Sequence, residues 1–430
     1  MSKTVDMNIS KPKSKRILVV SQHFWPESFR VNDICNGFVE RGYEVEVLCG
    51  IPNYPAGQFF DGYGLTKNRR QIENGVKIRR CFEVKRGKNS NLRIFLNYIS
   101  FPISSLFSLP YLLRQKYDKI FLFQTSPVMM SLAGVLLGRM KRIETTMYVL
   151  DLWPENLYSV LNFKNKLIRR FLFWNSTWYY RKTDKLIANT QRLQSLLIDR
   201  TGKCCSEVTF IPQFCEKLYE ELAEDAELKD RFKDTFNLVF TGNISPAQSF
   251  ETVIGAAKIL KDKGFADIRW IIVGDGMSGA WLKEEVAKEE LSDYFIFIGN
   301  VPMAEIPKYT GIADGLFACL SKLEMLECTI PAKIFSYYAA GRPLLLAMNG
   351  EIQDIIESSG AGYIVDAGDS KGLAEAAVRL YKMSNEEREK MGESAKAYYY
   401  KNFERDMNME KLVEFVEGDG VPVLPNIERD

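Results

Sequence analysis

Short apolar runs alternate with amphipathic stretches along most of this chain, and each run ends in a polar or glycine-containing loop. Arg16–Ser21 is such a run, a helical pattern from Asn32 to Arg41 follows it, and Glu44–Cys49 is the next run. This β-α-β order is typical of an open parallel sheet. Further strand patterns lie at Ile120–Gln124, Thr146–Leu150, Lys185–Ala188 and Val208–Ile211. The first half is therefore predicted to be a doubly wound α/β sheet.

The same alternation starts again after Pro212, where helical stretches separate a second series of strand patterns. These strands are predicted at 237–240, 270–274, 295–299, 315–318, 344–347 and 362–365. The pattern predicts two Rossmann-like domains, one over 16–212 and one over 213–397, with an acidic, helix-like connection at 213–235. A last helical run, Glu386–Glu417, is predicted to break near Tyr398–Tyr400.

Composition is that of a globular protein, but the net charge of +2 hides a strong asymmetry. The first 200 residues carry 32 lysines and arginines against 15 aspartates and glutamates, while the other 230 carry 25 against 40. A basic half suits nucleic acid, a membrane surface or an anionic substrate, and charge alone does not choose among them. Eight cysteines without a C-x-x-C pair and a single histidine offer little for zinc, so reduced thiols and no metal are expected.

Two segments of the basic half combine cations with apolar and aromatic side chains. Lys85–Lys88 and Arg93 precede the uncharged run Ile94–Leu113, and a second patch runs from Lys164 to Lys182. Such segments are typical of interfacial membrane contact, although buried helices with charged ends would look the same. Their occurrence together favours the membrane. Pro102, Pro110 and Asn97 argue against a transmembrane span, and the polar start of the chain predicts a cytoplasmic protein at the inner membrane face, without nucleic acid.

Two strand-to-helix junctions of the second half could bind phosphate groups. The first strand ends in Thr241–Ser245 before a helix that is predicted from Gln248, and Pro331–Lys333 opens another helix. Free backbone N–H groups and the helix dipole favour anions at such junctions, and Lys333 adds a positive charge unless it is an ordinary surface lysine. The pair suggests a nucleotide diphosphate. The candidate donor-binding residues are Gly242, Asn243, Gly274, Gly276, Val301, Lys333 and Ser336.

The matching loops of the first half are rich in aromatic residues, prolines and carboxylates, which suit the walls of a sugar site. Asp151 follows a strand directly, so it is the candidate catalytic residue, as a base or a clamp for the acceptor, unless it only caps the next helix. The candidate acceptor-binding residues are His23, Glu27, Arg30, Asn53, Tyr54, Trp153 and Glu155.

Seven segments together resemble the family 4 glycosyltransferases of the GT-B fold. They are SQHFWPESFRVNDI, GIPNYPAGQFFDGYG, VLDLWPENL, FTGNISPAQSFETVIGAA, IIVGDG, TIPAKIFSYYAAGRP and SGAGYIVDAGD, in this order between Arg16 and Glu404. Within the family they are most similar to the WbuB-like branch of N-acetylfucosamine transferases. The resemblance implies retaining transfer from a nucleotide-diphosphate sugar, without a cofactor, in a cleft between two facing Rossmann-like domains. It also implies that 398–417 crosses back to the first domain.

This chain departs from the family at the donor site. Asn243 and Gln248 stand where many members have an arginine and a lysine. Cys328 and Ser336 stand where many have a pair of glutamates, and Glu327 is one position from the first of them. Lys333 is therefore predicted to be the main cation for the donor phosphates.

The expected function is transfer of a sugar, such as N-acetylfucosamine, from a UDP-sugar or another nucleotide sugar to a polyprenyl-diphosphate-linked saccharide. The product would be a lipopolysaccharide, capsule or exopolysaccharide. A nucleotide-sugar epimerase of the same fold and a non-catalytic membrane scaffold are the alternatives. A dinucleotide oxidoreductase is less favoured, because neither early β-α turn contains G-x-G-x-x-G.

Overall fold

The computed structural model describes residues 14–55, 57–87, 91–160 and 165–418. Lys88, Lys164 and most of the Met1–Arg16 stretch lie outside the described residues. The protein contains two sheets that follow one another along the chain, as the apolar runs predict.

The first sheet has eight strands in the order β3-β4-β2-β1-β5-β6-β7-β8, and all neighbours are parallel except the β3–β4 pair. Its strands are β1 (Arg16–Val20), β2 (Glu44–Cys49), β3 (Arg70–Glu73), β4 (Val76–Arg80), β5 (Lys119–Gln124), β6 (Thr145–Val149), β7 (Lys185–Ala188) and β8 (Val208–Phe210). The helices of this half are α1 (Arg30–Glu40), α2 (Asn91–Leu106), α3 (Leu109–Arg114), α4 (Leu132–Lys141), α5 (Glu155–Val160), α6 (Lys166–Lys182) and α7 (Gln191–Thr201).

The second sheet has six parallel strands in the order β11-β10-β9-β12-β13-β14. They are β9 (Phe236–Thr241), β10 (Ile268–Val273), β11 (Phe295–Gly299), β12 (Gly315–Cys319), β13 (Leu344–Ala347) and β14 (Gly362–Val365). The remaining helices are α8 (Ala226–Arg231), α9 (Phe250–Asp262), α10 (Gly279–Lys288), α11 (Ile306–Gly311), α12 (Ala332–Ala340), α13 (Ile352–Ser359), α14 (Ser370–Lys382), α15 (Asn385–Asn402) and α16 (Arg405–Glu417).

Apolar side chains cover both faces of each sheet, which explains why the strands read as continuous hydrophobic runs. In β1, Ile17 and Val19 pack with α1 and α16, whereas Leu18 and Val20 pack on the other face with α4. Since strand order reverses beside β1 in the first sheet and beside β9 in the second, ligand sites are expected at the carboxyl ends of these two strands.

The last helix, α16, lies against α1 of the first sheet. Arg405 is almost fully buried there and binds Asp33 at 2.8 Å and Glu40 at 3.0 Å. Met409 packs under Gly37, where a Cβ atom would come within 2.9 Å of the Met409 side chain. The domain boundaries at 212 and 397 stay a prediction.

Two local predictions need correction, and one pair of strands was not predicted. The antiparallel pair β3–β4 was not expected from the sequence, because its strands alternate charged and apolar residues at an exposed edge. The connection at 213–235 is helical only at Ala226–Arg231, apart from one turn at Lys217–Tyr219. Helix α15 continues through Tyr398–Tyr400, and the break comes at Phe403, before Glu404 caps α16 with its side chain.

Candidate active site

A cleft of about 580 Å³ separates the carboxyl ends of the two sheets. Its walls come from both halves of the chain, with Tyr54 and Asp151 on one side and Gly242 and Lys333 on the other. A larger hollow of about 1080 Å³ lies at the opposite end of the second sheet, around Arg342. Because doubly wound sheets bind ligands at the carboxyl ends of their strands, the cleft is the candidate active site.

Two glycine loops meet on the second-sheet side of the cleft. Gly242 and Gly274 have φ angles of +129° and +137°, which other residues rarely adopt. A Cβ atom on Gly274 would lie 2.0 Å from the Gly242 carbonyl oxygen, and one on Gly276 would lie 2.3 Å from Asn243 Oδ1. The glycines therefore let the loops after β9 and β10 pack directly on each other.

Lys333 lies in the first turn of α12 and reaches this glycine loop. Its Nζ atom donates to Gln248 Oε1 at 3.0 Å and lies 3.5 Å from the centre of the Phe240 ring. A Cβ atom on Gly242 would be only 3.2 Å from that nitrogen. No carboxylate of the described residues forms an ion pair with Lys333, and burial lowers the pKa of its ammonium well below the usual value. An anionic ligand would therefore contact an amine whose partners, Gln248 and the Phe240 ring, are neutral.

The other candidate donor residues lie close to Lys333. Ser336 is nearly buried one helical turn further along α12, and Val301 follows β11; both line the cleft. Tyr337 holds the end of β9 in place, because its hydroxyl accepts a hydrogen bond from the Thr241 backbone N–H at 2.8 Å.

On the first-sheet side, Glu27 organises the loops instead of facing the cleft. It is almost fully buried, and its Oε1 atom accepts from the backbone N–H groups of Asn53 and Tyr54, both at 2.7 Å. Its other oxygen lies 2.9 Å from His23 Nδ1. Burial alone would lower the pKa of His23, but the Glu27 carboxylate outweighs burial and raises it. His23, Glu27 and Asn53 thus form a buried support under Tyr54.

Tyr54 and Arg30 are the predicted acceptor residues that line the cleft itself. The Tyr54 hydroxyl accepts a hydrogen bond from Asn243 Nδ2 at 3.2 Å, so the two walls touch at this point. Arg30 forms an ion pair with Glu216, which also lines the cleft.

The segment after β6 brings Asp151 to the cleft and turns Trp153 and Glu155 away from it. Asp151 lines the cleft, and α5 begins only at Glu155, so Asp151 is not the cap of that helix. Trp153 is 1% exposed and packs in the core of the first sheet, while Glu155 pairs with Arg200 at 3.1 Å. The expected acceptor contacts of Trp153 and Glu155 therefore need correction, because core packing and an ion pair use these side chains.

Contacts between the two walls were not apparent from the sequence. Thr190 Oγ1 donates to the Cys328 carbonyl oxygen at 2.6 Å, and Arg192 pairs with Glu327 at 3.0 Å. Glu327, one position from the place of a family glutamate, thus binds the first sheet's α7. The only sign of this contact in the sequence was the position of Glu327, one residue from the place of the family glutamate.

Beside the cleft, the first half exposes an apolar face formed by α2, α4 and α6. The segments of α2, α3, α4 and α6 contain no aspartate or glutamate. Its exposed apolar side chains are Leu92, Phe95, Leu96, Ile103, Phe107, Met140, Leu167, Ile168, Phe171, Phe173 and Trp174. By length and composition alone, Leu92–Arg114 is the one helical stretch of the described residues that could cross a bilayer, with a mean hydropathy of 1.3.

Asn97 ties the apolar stretch of α2 to the loops beneath the cleft. It is fully buried, and its Nδ2 atom donates to Glu83 Oε1 at 2.5 Å and to the Val84 carbonyl oxygen at 2.7 Å. Gln22, at the end of β1, donates to the same Glu83 oxygen at 2.7 Å. The polar residue that interrupts the apolar run therefore fixes α2 to the protein.

Among the described residues, no group of three or more histidine, cysteine, aspartate or glutamate side chains is placed to hold a metal ion. The groups that the site offers to a ligand are Lys333, the loops of Gly242 and Gly274, and the Asp151 carboxylate across the cleft.

Comparison with known proteins identifies the chemistry that such a cleft serves. Residues 223–398, which contain the second sheet, match the family described as Glycosyl transferases group 1. The protein is a glycosyltransferase whose second half is a group 1 domain. This glycosyltransferase is 26% identical over 305 residues to the Pseudomonas aeruginosa protein WbjE, covering 68% of this chain and 74% of WbjE, which is named as a glycosyltransferase.

Two further proteins are similar to the glycosyltransferase over most of its length. WcaI of Escherichia coli, named as a colanic acid biosynthesis glycosyl transferase, is 24% identical, with 76% of this chain and 81% of WcaI covered. The structure of Anabaena HepE with UDP-glucose superposes with a TM-score of 0.69 at 14% identity, covering 94% of this chain and 99% of HepE. The protein thus has the predicted GT-B fold.

Proposed function

We propose that this glycosyltransferase moves a sugar, with retention of anomeric configuration, from a nucleotide-diphosphate donor to a lipid-linked saccharide. The product would be a bacterial surface polysaccharide. The name of WcaI, which refers to colanic acid biosynthesis, supports the class of pathway, and the UDP-glucose bound by HepE supports a nucleotide-sugar donor. N-acetylfucosamine or another N-acetylated sugar is the proposed cargo, by resemblance to the WbuB-like branch.

One observation carries the proposal. Lys333 projects into the cleft beside the glycine loop of β9, with neutral partners only, and Asp151 lines the opposite wall. A nucleotide diphosphate supplies the negative charge that this lysine lacks among the described residues. The Asn243 backbone N–H group adds a favourable dipole, whereas the N–H groups of Gly242 and Ile244 donate to backbone carbonyls.

In this mechanism the bond between the anomeric carbon and the diphosphate oxygen breaks, and the acceptor hydroxyl oxygen forms the new bond. Negative charge grows on the departing diphosphate. Lys333 and the Asn243 amide stabilise this charge more strongly than they stabilise the intact donor, which lowers the barrier. Asp151 orients or deprotonates the acceptor hydroxyl on the same face of the sugar.

The apolar face supports a peripheral position at the inner membrane. Its aromatic and aliphatic side chains suit the boundary between headgroups and acyl chains, and exposed cations such as Arg169, Arg170 and Arg181 surround them. The helices that form this face carry no carboxylate, so no negative side chain on them repels an anionic lipid surface. A lipid-linked acceptor would approach from this side.

The proposal is tested with purified full-length protein, a panel of nucleotide sugars and a membrane lipid extract. We expect one nucleotide sugar to release its nucleotide only when lipid is present, with the mass of one sugar added to the lipid. Lys333→Ala is expected to abolish most of this release.

The alternatives give different results in the same assay. An epimerase would convert the nucleotide sugar without lipid and without releasing nucleotide. A scaffold would leave every nucleotide sugar intact, whether or not lipid is present. Either result would overturn the proposed function.

A further inference from the structure

Arg86 is held between two tyrosines at the point where the cleft meets α2. The central guanidinium carbon lies 5.4 Å from the ring centre of Tyr54 and 5.7 Å from that of Tyr98. Tyr54 lines the cleft, whereas Tyr98 belongs to α2. Aromatic rings orient a guanidinium without neutralising its charge, so its donor groups remain available to an anion.

Three arginines near the cleft and the apolar helices have an acidic partner, which Arg86 lacks among the described residues. Arg79 also stacks on a tyrosine, at 3.5 Å from the ring centre of Tyr111, but it pairs with Glu46 at 3.6 Å. Arg30 and Arg200 likewise each pair with a glutamate. Within the part of the chain that the structure describes, Arg86 forms no ion pair with a carboxylate.

The backbone around Arg86 is fixed before any ligand arrives. The Arg86 N–H group donates to Asn53 Oδ1 at 3.2 Å, and the Gly87 N–H group donates to the Gly57 carbonyl oxygen at 2.9 Å. A Cβ atom on Gly57 would lie 2.4 Å from the Gly87 carbonyl oxygen, so the two loops cross closely. A preorganised cation loses less conformational entropy when it binds an anion.

The position of Arg86 matches a ligand with a polar head and an apolar tail. On one side, Tyr54 contacts Asn243 of the donor loop at 3.2 Å. On the other side, α2 exposes Leu92, Phe95 and Leu96. A molecule that crosses from the apolar face into the cleft would pass Arg86 between these two regions.

Resting on the proposed function, we propose that Arg86 binds the diphosphate of the lipid-linked acceptor. The planar guanidinium can donate two parallel hydrogen bonds to phosphate oxygens, which an ammonium does less well. The prenyl chain then lies along α2, and the saccharide extends past Tyr54 towards Asp151. Lys333 binds the donor diphosphate and Arg86 the acceptor diphosphate, so each half of the protein holds one of them.

The test is a titration of the full-length protein with farnesyl diphosphate, with farnesol as the phosphate-free control and saturating UDP in the donor site. Arg86→Gln is expected to weaken farnesyl diphosphate binding by about 10-fold or more and to leave farnesol binding unchanged. Arg86→Lys keeps the charge but not the planar fork, so it should fall between wild type and Arg86→Gln.

Matched variants exclude the simpler explanations. Arg79→Gln also removes an arginine stacked on a tyrosine and should not weaken farnesyl diphosphate binding. Lys333→Ala should weaken UDP binding and leave farnesyl diphosphate binding intact, which separates the two diphosphate sites. Thermal melting of each variant checks that the fold is retained.

Three outcomes would overturn the assignment of Arg86. The first is an unchanged affinity of folded Arg86→Gln for farnesyl diphosphate. The second is a loss of Arg86→Gln binding to phosphatidylglycerol vesicles that equals its loss of farnesyl diphosphate binding. The third is no preference of wild type for farnesyl diphosphate over farnesol. If sugar transfer to lipid still occurs in these cases, only this assignment fails. If wild type consumes no nucleotide sugar, the proposed function fails instead.

Discussion

The two halves of this protein differ in net charge, and each holds an ionisable side chain of the opposite sign next to the cleft. The basic first half buries Glu27, whose two oxygens bind the Asn53 and Tyr54 backbone N–H groups and His23. The acidic second half holds Lys333, which has Gln248 and Phe240 as neighbours. The carboxylate is fully used by the fold, whereas the lysine still lacks an anion.

This difference separates structural from functional charge. A buried charge bound by several internal partners stabilises loop geometry, and removing one partner mainly affects folding. A buried charge with neutral partners only is costly unless a ligand neutralises it, so its removal should mainly affect binding and turnover. The net surface charge of each half is a different property, and it affects contact with the membrane.

The largest effect is expected from Lys333→Ala, which tests whether Lys333 has a functional role rather than a structural one. We expect kcat to fall by about 10²–10³-fold, which corresponds to about 2–4 kcal/mol of transition-state stabilisation. The thermal melting temperature should not fall, because the variant removes a half-buried amine without an ionic partner among the described residues. Steady-state kinetics and melting on the same preparation check both statements.

Lys322→Ala is the matched control, since Lys322 is an exposed lysine in the loop after β12. It should leave kcat unchanged. Equal losses in the two variants would mean that the lysine charge acts at long range, and the assigned role of Lys333 would be lost.

The second prediction concerns Glu83, the buried carboxylate beneath the apolar helix α2. Burial raises the pKa of Glu83 to about 7 from 4.5, so the folded state binds a proton more tightly than the unfolded state. This stabilisation is complete below the unfolded pKa and is lost as the pH rises through about 7, up to about 3 kcal/mol in total. His23, whose pKa is also raised, adds to the same trend.

Glu83→Gln should therefore flatten the fall in the free energy of unfolding between about pH 5 and pH 8. Urea unfolding at several pH values measures it, with Glu227→Gln on exposed α8 as the control. A slope in Glu83→Gln as steep as that of wild type would contradict the structural role of this carboxylate.

The apolar face provides the third prediction. Replacing Leu167, Phe171 and Trp174 together by glutamine should weaken binding to anionic lipid vesicles by about 10-fold or more, because exposed apolar area no longer enters the interface. Vesicle co-sedimentation measures the loss. Ile72→Gln, an exposed apolar residue on β3, should have no effect; equal loss in that control would exclude the face as the docking surface.

The smallest expected effect is a proton uptake when the donor binds. Burial lowers the pKa of Lys333, and a bound diphosphate favours its charged form, so donor affinity should fall several-fold as the pH rises. Calorimetric titration of UDP in buffers of different ionisation enthalpy measures the proton. Lys333→Ala, in which the titration of UDP itself is unchanged, should lose this uptake; if the uptake persists, another group is responsible.

Strands that are buried on both faces were predictable from the sequence, because burial requires an unbroken apolar run. Lys185–Ala188 and Leu344–Ala347, which are almost entirely buried, have the predicted bounds. Tyr398–Tyr400 was a poor signal for a break, since aromatic residues lower helix propensity only slightly and Tyr398 and Tyr399 pack in the core.

The candidate site was predictable as a set of loops but not as a set of side-chain directions. The glycines and Lys333 depend on backbone position, which the strand-to-helix pattern gives. Trp153 follows Asp151 by two residues, yet its large side chain packs inward, and the sequence contains no sign of that choice. Contacts between the walls, such as Arg192 with Glu327, depend on how the two sheets are placed and have no local signal.

The most direct test of the central claim is a structure of this glycosyltransferase with bound UDP. The account predicts diphosphate oxygens within hydrogen-bonding distance of Lys333 Nζ and of the Asn243 backbone N–H group, with Asp151 across the cleft. A diphosphate bound elsewhere, with Lys333 still donating to Gln248, would contradict it.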